Sequence, residues 1–194
     1  MTQPYRCQWC VNSELEITYH DEEWGVPVHE DRKHFEFLVL DAFQAGLSWS
    51  IILRKRENFR EAFDNFEPER IARYTKRRIE RLMENAGIVR NRLKILASVS
   101  NAKRFLAIQD ELGTFDDFIW QFVGGKTHQN SRRSFRSVPA KTTESDAMSK
   151  ALKNRGFKFV GSTICYAYMQ AAGMVNDHEV KCHRFPVLGG RSRS

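Results

Sequence analysis

The sequence lacks long hydrophobic runs. No apolar stretch approaches the roughly 20 residues that a helix needs to cross a bilayer, and no early apolar run resembles a signal peptide. Strand patterns, internal repeats and low-complexity segments do not stand out either. We therefore expect an all-α protein of the cytoplasm that has no membrane partner.

Cysteine is also scarce, with four residues in a chain of 194. In a reducing compartment a disulfide framework is not expected, so metal ligation or simple burial explains these residues better. Cys165 lies in an apolar run and is interpreted as a small core residue. The other three, Cys7, Cys10 and Cys182, lie near the two ends of the chain.

The composition is typical of a globular protein that binds a polyanion. Hydrophobic residues make up 41% of the chain and charged residues 28%, which excludes a disordered protein. The 31 Lys+Arg exceed the 24 Asp+Glu, and the formal net charge of +7 favours a polyanionic partner. The length predicts one domain over residues 1–188, of one or two helical lobes, and a disordered tail over residues 189–194.

One segment places a carboxylate in apolar surroundings. Apolar residues within 35–43 recur at three- and four-residue spacing, which predicts a helix with Asp31 as its N-cap. Because the opposite face is apolar as well, the helix should be buried, and Asp41 with it. Asp41 is either a functional group or a structural one that is hydrogen-bonded to the backbone of the following turn.

The end of this helix predicts a ligand site. Gly46 can terminate it, and Ser48 can cap a next helix that carries Trp49. Asp41 and Trp49 would then face each other across a tight turn, where a flat ligand with polar edges could bind. The alternative is that Trp49 is an ordinary core residue.

A second helix pair suggests contact with phosphate. A helix capped by Thr75 stops at Gly87, and another helix follows, with Arg90, Arg92 and Lys94 in its first turns. Outward-pointing backbone N–H groups beside basic side chains suit a phosphate. The shape alone is weak evidence, because short helix connections that contain glycine are common.

Further along the chain, one helix is predicted over 115–123. Two more are predicted with Thr143 and Ser162 as their N-caps, ending at residues 154 and 172. A polar run over 124–142 contains several arginines. It is either a loop that lies along a nucleic-acid backbone or a solvated loop without a partner.

The ends of the chain hold residues typical of a metal site. His178 and Cys182 are four residues apart, a spacing that puts both on one face of a helical turn. Cys7, Cys10 and His20 lie near the N-terminus. A structural zinc takes four Cys and His ligands, so Cys7, His178 and Cys182 would be completed either by His20 or by Cys10.

Segments along nearly the whole chain match one enzyme family in order. They are residues 7–9, 19–27, 44–49, 54–58, 85–90, 149–153, 155–161 and 175–178. On these segments the sequence resembles the DNA-3-methyladenine glycosylase I family, bacterial enzymes of base-excision repair. The resemblance implies the helix-hairpin-helix glycosylase fold. It also implies a structural Zn²⁺ that ties the two termini together through Cys7, His20, His178 and Cys182.

The resemblance also implies an activity and its site. The family hydrolyses the N-glycosidic bond of 3-methyladenine in alkylated double-stranded DNA, and flips the base into a pocket to do so. By similarity Trp49 stacks on the base, Trp9, Tyr19 and Trp24 line the pocket, and the Asp41 carboxylate reads the polar edge of the purine.

The implied DNA contacts lie at the two helix junctions. They come from Gln44, Gly46 and Leu47 at the first and from Gly87, Arg90 and Arg92 at the second, and Leu47 is the candidate for filling the gap left in the duplex. No lysine is positioned as a covalent nucleophile, so we expect a monofunctional hydrolase. We also expect a monomer.

Two positions depart from the family pattern. The family usually has glutamate at the position of Asp41 and often an aromatic residue at the position of Glu16. Aspartate shortens the reach by about 1.5 Å, enough to weaken a positioned hydrogen bond. Glu16 is either a compensating carboxylate in the base site or a surface residue. The departures leave two alternatives, a lesion-binding protein with weak or no catalysis and a glycosylase of altered alkylpurine specificity.

Overall fold

The computed structural model describes residues 3–189, and over this range the chain is mostly helical, as the sequence predicts. The helices are α1 Glu14–Glu22, α2 Asp31–Gln44, α3 Trp49–Ala62, α4 Pro68–Ile71, α5 Lys76–Glu84, α6 Arg92–Leu112, α7 Phe115–Trp120, α8 Thr143–Asn154, α9 Ser162–Ala171 and α10 Arg184–Val187. Among them, none is both long and apolar enough to cross a membrane. The tail predicted over 189–194 lies outside the described residues from position 190 onward.

Helix α2 is the centre of the hydrophobic core. Phe35, Leu40 and Phe43 are fully buried, and α3, α6, α7 and α9 pack around the helix. The expectation of a helix buried on all sides is confirmed. Asp41 is 2% exposed, so the fold places a carboxylate inside this core.

The junction between α2 and α3 is a tight turn. Gly46 has a φ of +82°, a left-handed conformation that only glycine adopts without strain. Ser48 is the N-cap of α3, although its side chain makes no capping hydrogen bond. The Lys94 ammonium, on α6, donates to the carbonyls of Phe43 and Ala45 at 2.9 and 2.7 Å. Lys94 therefore supports this turn from inside and does not face outward toward a phosphate as the sequence suggested.

Several predicted caps lie elsewhere. Asp31 is the first residue of α2 and its carboxylate accepts instead from the backbone N–H groups of Phe115 and Asp116 at the start of α7. A cap predicted from local sequence was wrong here because a tertiary contact offered the carboxylate more donors. The cap of α8 is Thr142, which forms a capping box with Ser145, and α9 starts after Gly161.

The loop before α8 pairs with the C-terminal segment. Strands β1 His128–Gln129 and β2 Val175–Asn176 are parallel neighbours. The sequence did not predict them, because two residues are too short to show an alternating pattern. A further bridge joins Arg132 to Glu179. The polar run is thereby fixed along the segment that carries His178 and Cys182.

Helices α5 and α6 are joined by a close-packed connection. A Cβ on Gly87 would lie 2.9 Å from the Asn85 side-chain oxygen and 3.1 Å from Cγ of Asn58, so a larger residue would displace these two side chains. The Gly87 N–H donates to that same Asn85 oxygen at 2.8 Å. Lys55 holds the connection from α3 through the carbonyls of Ala86 and Gly87.

Candidate base-binding site and metal centre

A pocket of about 120 Å³ opens beside the α2–α3 turn. Its wall is formed by aromatic side chains, the Asp41 carboxylate, Gln44 at the end of α2 and three residues of α9. The lining residues are Trp9, Tyr19, Trp24, Asp41, Gln44, Trp49, Phe135, Ala167, Gln170 and Ala171. Asp41 and Trp49, which the sequence placed across one turn, line it together. The segment over 1–30 supplies the other predicted aromatic residues.

The aromatic rings form a continuous cage. Trp9 lies against Trp24 with ring centroids 5.1 Å apart in an edge-to-face arrangement, and Tyr19 lies 5.3 Å from Trp49. Tyr19 and Trp24 are buried, whereas Trp9 and Trp49 are half-buried and open to the pocket. Such a cage offers ring faces and edges to a flat ligand, and ring faces attract cations.

Asp41 is an unpaired acid in this wall. Among the described residues, its Oδ2 atom is buried without a hydrogen-bond partner. Burial raises the pKa of Asp41 well above the ordinary value of an aspartate. Burial also raises the pKa of Tyr19, and the Asp41 charge adds to that effect. A cationic ligand with N–H donors would supply both the charge and the hydrogen bond that Asp41 lacks.

A second cluster, which we call the metal centre, joins the ends of the described chain. Ligand atoms of Cys7, His20 and Cys182 all lie within 4.8 Å of one another, and all three residues are buried. Cys10 does not belong to this cluster, and its thiol donates to the Cys7 carbonyl at 3.1 Å. The geometry thus favours His20 over Cys10 as a member of the set.

His178 lies at the edge of the metal centre. Its ring centroid is 4.9 Å from that of His20, and its buried Nε2 has no hydrogen-bond partner among the described residues. The opposite nitrogen, Nδ1, is 3.1 Å from the Asn176 side-chain oxygen, and His20 Nδ1 is 2.7 Å from Asp21. Burial lowers the pKa of His178 to about 3. His178 is not among the three residues whose ligand atoms lie within 4.8 Å of one another. Each imidazole is held by a partner at Nδ1, which leaves Nε2 as the nitrogen that could bind a metal, as in metal-ligating histidines.

Comparison with known sequences identifies the family of this chain. A sequence model of the family described as Methyladenine glycosylase matches residues 9–185. The chain belongs to this methyladenine glycosylase family. It is 47% identical over 181 residues to "DNA-3-methyladenine glycosylase 1" of Escherichia coli (strain K12). The matched region covers 93% of this chain and 97% of that relative.

Solved structures agree with the family assignment. A crystal structure of 3-methyladenine DNA glycosylase I is 50% identical, covers 92% of this chain and 98% of its own, and superposes with a TM-score of 0.90. A tyrosine-to-phenylalanine mutant of 3-methyladenine DNA glycosylase I, solved in complex with 3-methyladenine, is 34% identical, covers 93% and 97%, and also gives a TM-score of 0.90. The fold is therefore that of a methyladenine glycosylase.

Not all of the predicted base-binding residues lie at the pocket. Five of them line the pocket, but Glu16 does not. Glu16 is buried at the start of α1, where its backbone N–H donates to Ser13 and its carboxylate accepts from the Ser13 hydroxyl at 3.2 Å. The carboxylate serves the helix N-terminus because that partner is local, and the pocket retains a single acid.

The residues predicted to contact DNA differ in their solvent exposure and in whether they already have an ion-pair partner. Leu47 is 37% exposed at the turn beside the pocket, and Gly46 and Arg90 are exposed. Arg92 is already engaged, because its guanidinium forms a two-point ion pair with Glu80 at 2.8 and 2.5 Å. Arg90 is thus the more available cation at the α5–α6 connection.

Four residues of the pocket wall were not predicted from the sequence, namely Phe135, Ala167, Gln170 and Ala171. The last three lie on α9 or at its end and carry no sequence signal that separates them from an ordinary helix. Phe135 does carry one, since it is a large apolar residue in an arginine-rich polar run.

A larger cleft of about 520 Å³ lies elsewhere, between residues 27–36, Arg60 and Asn65. Its wall is formed largely by charged side chains, with His29 as its aromatic ring. The aromatic cage and Asp41 line the smaller pocket and not the larger cleft, so the smaller pocket is the candidate base site.

Proposed function

We propose that this family member is a DNA glycosylase that hydrolyses the N-glycosidic bond of 3-methyladenine in alkylated double-stranded DNA. The observation that carries the proposal is the buried Asp41 carboxylate, unpaired in the wall of an aromatic cage. The names of its relatives and the 3-methyladenine complex of one of them support the same substrate.

The chemistry follows from the charge of the lesion. Methylation at N3 makes adenine cationic, so the bond to C1′ is already weak. When that bond breaks, its electron pair leaves with the base and neutralises it, and water adds to C1′ and loses a proton. The enzyme has to bind a flipped cationic base and stabilise an oxocarbenium-like sugar. Ring faces contribute about 0.5–2 kcal/mol of cation–π attraction, and Asp41 contributes charge and a hydrogen bond.

We assign the DNA contacts to the two helix junctions. Gln44 and Gly46 would approach the strand at the α2–α3 turn, with Leu47 filling the gap that the flipped base leaves. Gly87 and Arg90 would approach a phosphate at the α5–α6 connection, which we interpret as the hairpin of the helix-hairpin-helix element. All the residues assigned here come from one copy of the chain, and no lysine within residues 3–189 lines the base site. We therefore propose a monomeric, monofunctional enzyme.

We propose a structural Zn²⁺ bound by Cys7, His20, His178 and Cys182. Two thiols and two imidazoles form a tetrahedral ligand set that zinc favours. The unpartnered, buried Nε2 of His178 supports its membership. Bound zinc would join the ends of the domain and supply no step of the hydrolysis.

The proposal is tested by base release. Purified protein is incubated with methylated DNA, and the freed bases are identified by chromatography. We expect release of 3-methyladenine, a loss of about 10- to 100-fold in Asp41→Asn from a charge-assisted hydrogen bond worth about 1.5–3 kcal/mol, and retained or raised activity in Asp41→Glu.

Two other outcomes identify the alternatives. If the wild type binds lesion-containing DNA without releasing base and Asp41→Glu gains activity, the protein is a lesion binder. Release of a different alkylated purine in preference would mean that the pocket with aspartate has altered specificity.

A further inference from the structure

Phe135 occupies an unusual place in the base site. It lines the same pocket as Asp41 and Trp49, although it belongs to the polar run between α7 and α8. Its side chain is 44% exposed. A partly exposed aromatic side chain forgoes part of the free energy that its full burial would contribute. The opening of the pocket is where it can be covered by the bound base.

The backbone that carries Phe135 is well anchored. Its N–H donates to Oε1 of buried Glu179 at 3.2 Å, and a 3-10 turn spans Phe135–Ser137. Arg132 holds the preceding residues, since its carbonyl accepts from Val180 N–H and its Nε lies 2.9 Å from the Asp177 carboxylate. The aromatic ring is therefore presented by a fixed loop, so little ordering entropy is lost when a ligand covers it.

The arginines of this loop divide into two kinds. Arg132 is half-buried and paired with Asp177. Arg133 and Arg136, on either side of Phe135, are exposed, and neither has an ion-pair partner within 4.0 Å among residues 3–189. Two free cations beside an exposed ring, at the opening of a pocket for a DNA base, are complementary to the nucleotide that enters it.

The geometry points to residues 133–136 as a second DNA-contacting element, with Phe135 covering the flipped base and Arg133 and Arg136 holding the phosphates beside it. This inference rests on the proposed function. The cationic base is then enclosed by the cage on one side and by Phe135 on the other. Phe135 is a specificity-determining residue, because its ring face favours a cationic purine over a neutral one.

Free 3-methyladenine tests the role of the ring. Its affinity is measured by tryptophan fluorescence quenching for the wild type, Phe135→Ala, Phe135→Leu and Phe135→Tyr. Loss of the ring that stacks on the base predicts affinity about 5- to 150-fold lower in the alanine and leucine variants, and wild-type affinity in the tyrosine variant. All three variants should bind a duplex with a tetrahydrofuran abasic analogue as the wild type does, since that duplex offers no base.

The same abasic duplex tests the arginines. Arg133→Ser/Arg136→Ser should bind it more weakly, and the slope of log affinity against log salt concentration should become shallower by about 2, one for each phosphate that the variant no longer neutralises. Its affinity for the free base should not change. Leu112→Ala and Lys103→Ser are the controls, because they remove an exposed apolar and an exposed cationic side chain of α6, outside this loop.

Two results would overturn the inference. One is wild-type affinity for free base in Phe135→Ala and Phe135→Leu, and the other is an unchanged salt slope in the double arginine variant. Base release from methylated DNA by the wild type is measured beside them. If the wild type releases nothing, the proposed function fails, whereas an active wild type with equally active Phe135 variants refutes only the role given to this loop.

Discussion

At the scale of single residues, the buried Asp41 carboxylate destabilises the folded protein in the absence of ligand. It is 2% exposed, and its Oδ2 has no hydrogen-bond partner in the described part of the chain. A buried, unpaired acid costs free energy in the folded state and gains it back when a cation binds. This is the pattern expected where stability is given up for ligand binding.

Asp41→Asn should therefore raise the stability of the free protein while it lowers activity. The carboxyl is ionised in the unfolded chain above about pH 4, whereas burial raises its pKa in the folded state. Between the pKa of the unfolded chain and the higher pKa of the folded state, folding takes up a proton. The wild type therefore loses stability as pH rises from the first of these values toward the second. We expect the variant to melt about 2–4 °C higher at pH 8, a shift that corresponds to about 1 kcal/mol in a protein of this size.

The pH dependence of the difference in melting temperature distinguishes the charge effect of Asp41 from a general change in packing. Thermal denaturation of both proteins at pH 5 and pH 8 should give the larger gap at pH 8, because asparagine does not titrate. An equal gap at the two pH values, or a less stable variant, would contradict the cost assigned to Asp41. Melting of Asp41→Glu provides a control that keeps the charge.

At the scale of elements, α6 supports the turn on which the base site depends. Lys94 reaches from its first turns to two carbonyls at the C-terminal end of α2. A cation at a helix C-terminus is also favoured by the helix dipole. The α5–α6 connection and the α2–α3 turn are thereby joined through one buried side chain.

Lys94→Met should weaken both the fold and the DNA contact. The variant leaves two carbonyls without their donor, at a cost of about 1–3 kcal/mol, and frees the turn that carries Gln44 and Leu47. We expect lower thermal stability and weaker binding to abasic-analogue DNA. Lys103→Met, at an exposed position of the same helix, should change neither, and similar behaviour of the two variants would argue against a special role for Lys94.

The elements themselves could largely be predicted, since apolar spacing and glycine stops reflect local physics. The buried α2 and the Gly46 turn are examples. The hydrogen-bond partners of polar side chains could not be predicted, because they come from segments that are distant in sequence and meet only in the folded protein. His34 is 2.6 Å from the Tyr168 hydroxyl and 2.8 Å from Asp116, residues too distant in sequence for any local pattern. Lys94 and Asp31 were misinterpreted for the same reason, and Phe135 was missed.

At the scale of the whole molecule, the metal centre and the base site share their walls. The Trp24 ring lies 4.5 Å from that of His178, and the Trp9 ring lies 5.6 Å from that of His20. Two rings of the cage thus pack directly on two proposed zinc ligands. Loss of the metal should disturb the pocket as well as the joined termini.

We expect the purified protein to contain one zinc per chain, by elemental analysis, and to melt about 10 °C or more lower after treatment with a chelator. A structural zinc site contributes several kcal/mol to folding, and each kcal/mol corresponds to about 2–4 °C for a chain of this length. The affinity for free 3-methyladenine should fall with the metal, because Trp9 and Trp24 lose their support.

The choice between the two ligand sets follows from single substitutions at this centre. Cys182→Ala should lose zinc, since this residue belongs to both sets. Cys10→Ala should keep zinc and base affinity, because the Cys10 thiol donates to a backbone carbonyl and does not belong to the cluster. Loss of zinc in Cys10→Ala together with its retention in His20→Ala would require the other set, in which Cys10 replaces His20. The packing of Trp9 on His20 would then be only hydrophobic, and metal removal should leave the contribution of Trp9 to base binding unchanged.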